Sequence, residues 1–596
     1  MLRWTALLLG MVAAGCQDGG ARREGGPGPD VSVPTPDVET SVDAARDVGG
    51  PGDAGPGDAG LPNDAGTEDG GLPARPLPAP PAPRDVEGRL TMTSGACAQC
   101  HANAGGADAM RDAARRPIAP YDLWQATMMA NAARDPLWRA VVSAEVAATP
   151  AAGAAIEAKC ARCHTPAAHA EAPGVALSTV LGEASVRGEL ARDGVTCTVC
   201  HQITPEGLGL EASFTGGYVI GQDARIYGPH ADPFTQPMRM HTGYTATESQ
   251  HILDSSLCGS CHTLITDALD PEGTPTGHRL FEQATFLEWR ASGHAEAGTT
   301  CQTCHTPTRD VDGVPIRTAI AHAPNGGDFG QIDPRDPYGR HLFVGGNTLV
   351  PALLRDHPES LATRAPRAAF DAVIREARAQ LQRSARLEVV AVAGGIDVRV
   401  LNEAGHKLPS GFPSRRAWLH VVARDGAGRV VFESGASDAQ GRLVDGHGQV
   451  QPEERRGGPV RGPTLAVSRP EEVAVFESLM CDPDEQPTWT LLRGSHFCHD
   501  TRLLPTGWQA RHPDGPATAP VGVEVGPRFE GGSATVRYAL PASARQVEVG
   551  LDYQVLGARF AAELLAVDTA EVAALRFYLA QADRRAERLV TAAIEL

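Results

Sequence analysis

The sequence predicts a mostly α, low-regularity domain followed by an antiparallel β-sandwich and a terminal helix, behind a disordered N-terminal tether. Three observations carry this reading. A five-residue pattern, Cys-x-x-Cys-His, occurs five times between Cys97 and His305. From Leu387 onward apolar residues recur with a period of two, the signature of half-buried strands. The first 85 residues are dominated by Gly, Pro, Ala and Asp, a composition that buries too little apolar surface to offset the entropy of ordering.

Taken in order, residues 1–15 read as a secretory signal peptide: Arg3 opens it, an apolar run extends from Trp4 to Ala14, and small residues precede Cys16. The run is too short for a stable membrane-spanning helix. Ala13-Ala14-Gly15-Cys16 resembles a bacterial lipobox, which implies lipidation of Cys16; the alternative is ordinary cleavage near Ala14. Either outcome exports the chain to a compartment that permits disulfides. Residues 16–85 form the tether, in which Pro-Gly-Asp-Ala-Gly appears at 51–55 and again at 56–60. From Gln17 to Arg84 there are 12 acidic and 5 basic residues, a net of −7 out of −19. The remaining −12 weighs against a nucleic-acid partner and mildly favours cationic redox partners.

Residues 86–345 hold the five motifs: Cys97-Ala-Gln-Cys100-His101, Cys160-Ala-Arg-Cys163-His164, Cys197-Thr-Val-Cys200-His201, Cys258-Gly-Ser-Cys261-His262 and Cys301-Gln-Thr-Cys304-His305. Each reads as a c-type haem attachment site, with two cysteines for thioether bonds to the vinyl groups and the histidine as proximal iron ligand. Zinc sites also use Cys-x-x-Cys, but in pairs, and five leaves one over; nor do they require a histidine after each second cysteine. The count is therefore five covalent haems. Aromatic content of only 5% agrees, because porphyrins would supply the missing flat apolar bulk. Helices are expected over 120–147 and 279–296, with Gly and Pro punctuating the rest.

Distal ligands follow from context. Trp124-Gln-Ala-Thr-Met-Met129-Ala130 and Trp289-Arg-Ala-Ser-Gly-His294-Ala295 share one pattern, which puts Met129 in register with His294 as distal candidates. His251 stands seven residues before Cys258, and His341 lies in a glycine-rich loop, so both join the set. His241, His230 and His169 are reserves.

These segments resemble the multihaem cytochromes c related to cytochrome c-554 and hydroxylamine oxidoreductase. The resemblance rests on Trp124 to Pro136, the boxes at Cys160, Cys197 and Cys258, and Glu282 to His305, and it extends to Asn402-Glu-Ala-Gly-His406-Lys-Leu-Pro-Ser-Gly-Phe-Pro. It implies secreted electron-transfer proteins with closely packed haems, and it makes His406 the fifth distal candidate. No Cys-x-x-Cys-Lys occurs and no tyrosine is assignable to a haem cross-link, so catalysis is not carried over with electron transfer.

Residues 346–385 read as a helical connection and 386–560 as the sandwich, with strands such as Ile396-Asp-Val-Arg-Val and Val547-Glu-Val-Gly-Leu. Residues 561–596 are expected to close the chain as an amphipathic helix carrying Leu565, Val572, Leu575 and Leu579 on one face. Cys481 and Cys498 are the cysteines left outside the motifs apart from Cys16, and a disulfide is expected between them; the alternative is a metal site with His496 and His499.

Three functions remain in view. The leading one is a pentahaem electron carrier held at the cell envelope, relaying between envelope redox proteins and anchored to a membrane by lipid at its N-terminus. The second is an oxidoreductase with one open haem acting on a small nitrogen or sulfur oxyanion. The third is a partner-binding sandwich wired to a haem chain.

Overall fold

The computed structural model describes residues 72–596. The expected signal peptide, Cys16 and the expected tether up to residue 71 lie outside the described residues. The folded part begins earlier than the sequence suggests: Leu77 is buried in a helical core, the Leu72 amide donates to Asp568, and Arg84 and Asp85 pair with Glu189 and Arg364.

Most helices of the motif region are short, because Pro, Gly and capping residues restart the chain, and only Pro136–Ala148 and Gly153–His164 exceed two to three turns among its described residues. The expected helix over 120–147 is two, Pro120–Trp124 and Pro136–Ala148, split by a stretch of turns. Asp135 sets the break, since a residue before proline avoids the helical region and the Asp135 carboxylate caps the Leu137 and Trp138 amides. Met129 therefore sits in the turns. The expected 279–296 helix is a strand, Pro275–Gln283, then two short helices, Thr285–Arg290 and Gly293–Glu296. The molecule has about 29% helix and 22% strand, with antiparallel sheets in its C-terminal part, and the expectation of a mostly α motif domain is not confirmed.

The C-terminal part holds two sheets. In the larger, Arg416–Arg424 lies between Val475–Cys481 and Gln546–Gln554, and Glu587–Glu595 pairs outside the latter, all antiparallel. The smaller runs Phe529–Glu530, Ser533–Ala539, Gly395–Asn402, Ala385–Val392, also antiparallel. Alternation in the sequence becomes alternation in burial: Ile396, Val398 and Val400 point inward from one sheet, and Leu419, Val421, Val549 and Leu551 from the other, into one shared core. Asp residues shape several hairpins by one device. The Asp425, Asp438 and Asp445 carboxylates each accept the amides two and four residues on.

The chain does not end in a helix. Ala558–Leu564 and Ala570–Leu579 are short helices that pack with Pro136–Ala148 and the long connecting helix Arg367–Arg383 into a second core. Residues 587–595 then form a strand on the sheet edge, where Leu589 is buried and its neighbours alternate outward. Backbone pairing on offer at that edge outweighs the modest helix propensity of Val590, Thr591 and Ile594. Among the described residues no helix is long and apolar enough to cross a membrane.

Candidate functional site

All five motifs face one cavity of about 2390 Å³, lined by each of the ten motif cysteines and five motif histidines. An ordinary ligand pocket measures about 300–1,000 Å³. The walls come from both parts of the molecule: the motif helices on one side, and the 403–415 loop, Leu491, Leu492 and Tyr553 on the other.

Each motif lies at the end of a short helix, Gly95–His101, Gly153–His164, Cys197–Cys200, Ser255–His262 and Cys301–His305. Helical spacing places residues three and four apart on one face, so both cysteines and the histidine approach a common ligand. The imidazoles are oriented from behind. His101, His164, His201 and His305 donate through Nδ1 to the carbonyls of Ile320 (3.0 Å), Ala132 (3.2 Å), Tyr227 (2.7 Å) and Val344 (2.8 Å). A carbonyl only accepts, so the proton is fixed on Nδ1 and Nε2 keeps its lone pair for a metal. Burial pushes the His164, His262 and His341 rings down to about 4, which keeps them in the neutral, ligating form.

The motifs also touch one another in a repeated way. Ser94, three residues before Cys97, accepts the Cys197 amide at 3.2 Å; Ser255, three residues before Cys258, accepts the Cys301 amide at 3.0 Å. Trp124 donates its indole N–H to the carbonyl of Val195 (3.1 Å), and Trp289 does the same to Thr299 (2.8 Å), each acceptor two residues before a motif cysteine. First and third motifs are thus joined as fourth and fifth are, and Met129 and His294 occupy matching places in the two halves. Thiol contacts follow the same pairs, Cys97 with Cys197 and Cys258 with Cys301, and a third links Cys163 to Cys261.

Four of the expected distal candidates, Met129, His294, His341 and His406, line the cavity. His251 does not line it. Its Nδ1 meets the Ser249 hydroxyl at 2.6 Å and its Nε2 the Ile203 carbonyl at 2.9 Å, so neither nitrogen is free. His230 and His241 line the cavity instead, while His169 lies away from it. The His201 and His341 ring centres are 6.3 Å apart with planes at 20°. Two imidazoles on opposite sides of one metal, each bonded at about 2.0–2.1 Å and each with ~1.2 Å from nitrogen to ring centre, would stand about 6.4–6.6 Å apart, close to this separation. The His341 Nδ1 donates to Gly339, so its Nε2 is free, as for His201.

His406 is held by the β-domain. Asn402 donates to the His406 carbonyl (2.8 Å), and the His406 Nδ1 donates to the Lys407 carbonyl (2.8 Å). Behind it lies a buried ion network: Lys407 and Arg502 each reach Asp500 at 2.6 Å, and Arg502 reaches Glu288 at 3.2 Å. Glu288 also accepts from the Lys407 amide (3.1 Å) and the Ser410 hydroxyl (2.6 Å). This ties the loop to the helix that precedes His294. Paired cations hold the Asp500 carboxyl well below the usual range despite its burial.

No group of motif cysteines and histidines converges as a zinc site requires. Among the described residues, the cluster able to hold an ion is Cys481, Glu485 and His496, and there Cys481 is paired with Cys498, Cα atoms 5.1 Å apart. The metal alternative at that place also loses His499, which faces Glu477 at 3.6 Å. Free imidazole nitrogens, cysteines at thioether spacing and a large, mostly apolar cavity fit haem.

The site defines a multihaem c-type cytochrome with covalently bound haem. Residues 96–202, which span the first three motifs, match the family model described as cytochrome c554 and c-prime. A solved structure, a penta-heme cytochrome c552 from Thermochromatium tepidum, is similar at 17% identity and a TM-score of 0.49, over 86% of this chain and 100% of that one. No curated protein matches.

Sequence reasoning held His230 and His241 only in reserve, and it missed the carbonyls behind the histidines and the Lys407–Asp500–Arg502–Glu288 network. One signal was available: Ser-x-x-Cys precedes the first and fourth motifs alike.

Proposed function

We propose that this chain is a pentahaem electron carrier of the bacterial cell envelope, relaying electrons between envelope redox proteins. The observation that supports it most is the single cavity lined by all five motifs. When bound, haem supplies reversible one-electron chemistry at iron. The chain's own residues do the rest. Cys97, Cys100, Cys160, Cys163, Cys197, Cys200, Cys258, Cys261, Cys301 and Cys304 attach five haems, and His101, His164, His201, His262 and His305 are their proximal ligands. His341 faces His201 as its distal partner; His406, which lies within electrostatic reach of His262 and His305, serves one of those two. Met129 and His294 are the matching ligands of the two halves, and His241 or His230 takes the place first given to His251. Export, the Cys481–Cys498 disulfide and lipidation at Cys16 belong to the same reading.

A second reading draws on the loss of His251, which leaves one haem without a ligand from the original set. An open iron there would bind a small nitrogen or sulfur oxyanion. One experiment separates the two: haem count by pyridine haemochrome, with spin state by electron paramagnetic resonance, on the purified protein. Five haems, all low-spin and unchanged by nitrite or hydroxylamine, are expected for the carrier. A high-spin ferric signal that shifts on adding either would favour the enzyme, and fewer than five haems would overturn the pentahaem assignment.

A further inference from the structure

At the second motif the cavity wall carries ionisable groups that no haem-attachment role uses. Glu145, on Pro136–Ala148, is 4% exposed and accepts the Leu491 and Leu492 amides at 2.6 and 3.2 Å. Glu282, on Pro275–Gln283, is 2% exposed; one carboxylate oxygen accepts from the Thr266 hydroxyl at 3.0 Å, and the other is buried with no partner. Lys159, directly before Cys160, donates to the same Thr266 hydroxyl at 3.1 Å and to the Ile265 carbonyl at 3.0 Å. Lys159, Thr266 and Glu282 thus form a hydrogen-bonded chain, and all of these side chains line the cavity.

Burying a carboxylate without a full set of donors costs several kcal/mol, so the neutral acid is favoured. Burial pushes Glu145 up to about 8 and raises Glu282. The charges facing them are few: Arg493 and Glu282 act on Glu145, Lys159 acts on Glu282, and Asp267, Arg162 and Glu157 lie around Lys159 and Cys160. Both carboxylates raise the Cys160 thiol, which places them within electrostatic reach of whatever that cysteine holds.

We propose that Glu145 and Glu282 form a proton-binding site that takes up one proton when the haem attached at Cys160 and Cys163 gains an electron. The proposal rests on the haem reading above. An external one-electron donor, a reduced redox protein in the cell or a poised electrode in the test, supplies the electron. Water supplies the proton, which forms an O–H bond on a carboxylate oxygen, with Thr266 in place as a relay. Added negative charge in a low-dielectric wall strengthens proton binding, and reoxidation releases the proton.

The test is an optical redox titration of the haem-loaded full chain from about pH 6 to about pH 10, spanning the Glu145 value. One of the resolved potentials should fall with rising pH by up to about 59 mV per unit, the equivalent of a tenfold change for a one-electron couple. In the Glu145→Gln, Glu282→Gln double variant that slope should flatten while the other potentials keep theirs. Potentials independent of pH in the wild type, or a slope retained in the double variant, would overturn the proposal. Should the variant fail to fold, redox-difference infrared spectra of the wild type decide: a protonated-carboxyl band that appears on reduction and shifts in heavy water upholds it, and its absence overturns it. Absence of haem mass on the peptide carrying Cys160 and Cys163 would instead overturn the haem reading itself.

Discussion

The β-domain and the motif region solve the same packing problem in opposite ways. Between residues 385 and 556 the two sheets fill their interior with their own side chains, and Phe476, Phe529 and Tyr538 are fully buried there. Residues between 86 and 345 instead line much of a cavity of about 2390 Å³, and the buried clusters beside it are small and rich in alanine. The difference teaches where each region's stability resides: in side-chain burial for one, in cofactor contact for the other. The first prediction strains that contrast hardest. A chain made without haem attachment should lose residues 96–345 to limited proteolysis while fragments from 385–556 survive; equal resistance of both regions would erase the contrast.

A second prediction addresses the seam. Asp500→Asn removes the shared anion of Lys407 and Arg502, and breaking a buried pair costs about 3–5 kcal/mol. Because the folded Asp500 carboxyl lies below its unfolded value of about 3.9, its contribution is present above that pH and is lost as pH falls through the folded value. Chemical denaturation against pH should show wild-type stability dropping in acid and a shallower acid limb in the variant. A third, smaller effect leaves stability almost untouched. Methionine ligation raises a haem potential relative to histidine, so Met129→Ala should lower one potential in a redox titration and leave the rest in place.

The attachment motifs were legible because thioether chemistry demands fixed spacing within five residues. The pairing of the His341 and His201 rings is not legible from spacing, since the two residues stand 140 positions apart in the chain. His251 looked right by proximity to Cys258, yet Ser249 and Ile203 occupy both its nitrogens, and only three-dimensional packing reveals that. The sandwich strands were readable from alternation. The final strand was not, because an alanine-rich segment becomes extended only where an open sheet edge pairs with it. The ion network escaped for a related reason: Glu288, Lys407 and Asp500 come from three separate segments.

If the cavity is the joint between the two regions, a residue of the β-domain must complete a haem in the other. His406 is that residue, so the direct test is His406→Ala in the haem-loaded protein, read by electron paramagnetic resonance and haem count. The account predicts five haems with one converted from low-spin to high-spin; five haems all remaining low-spin would contradict it.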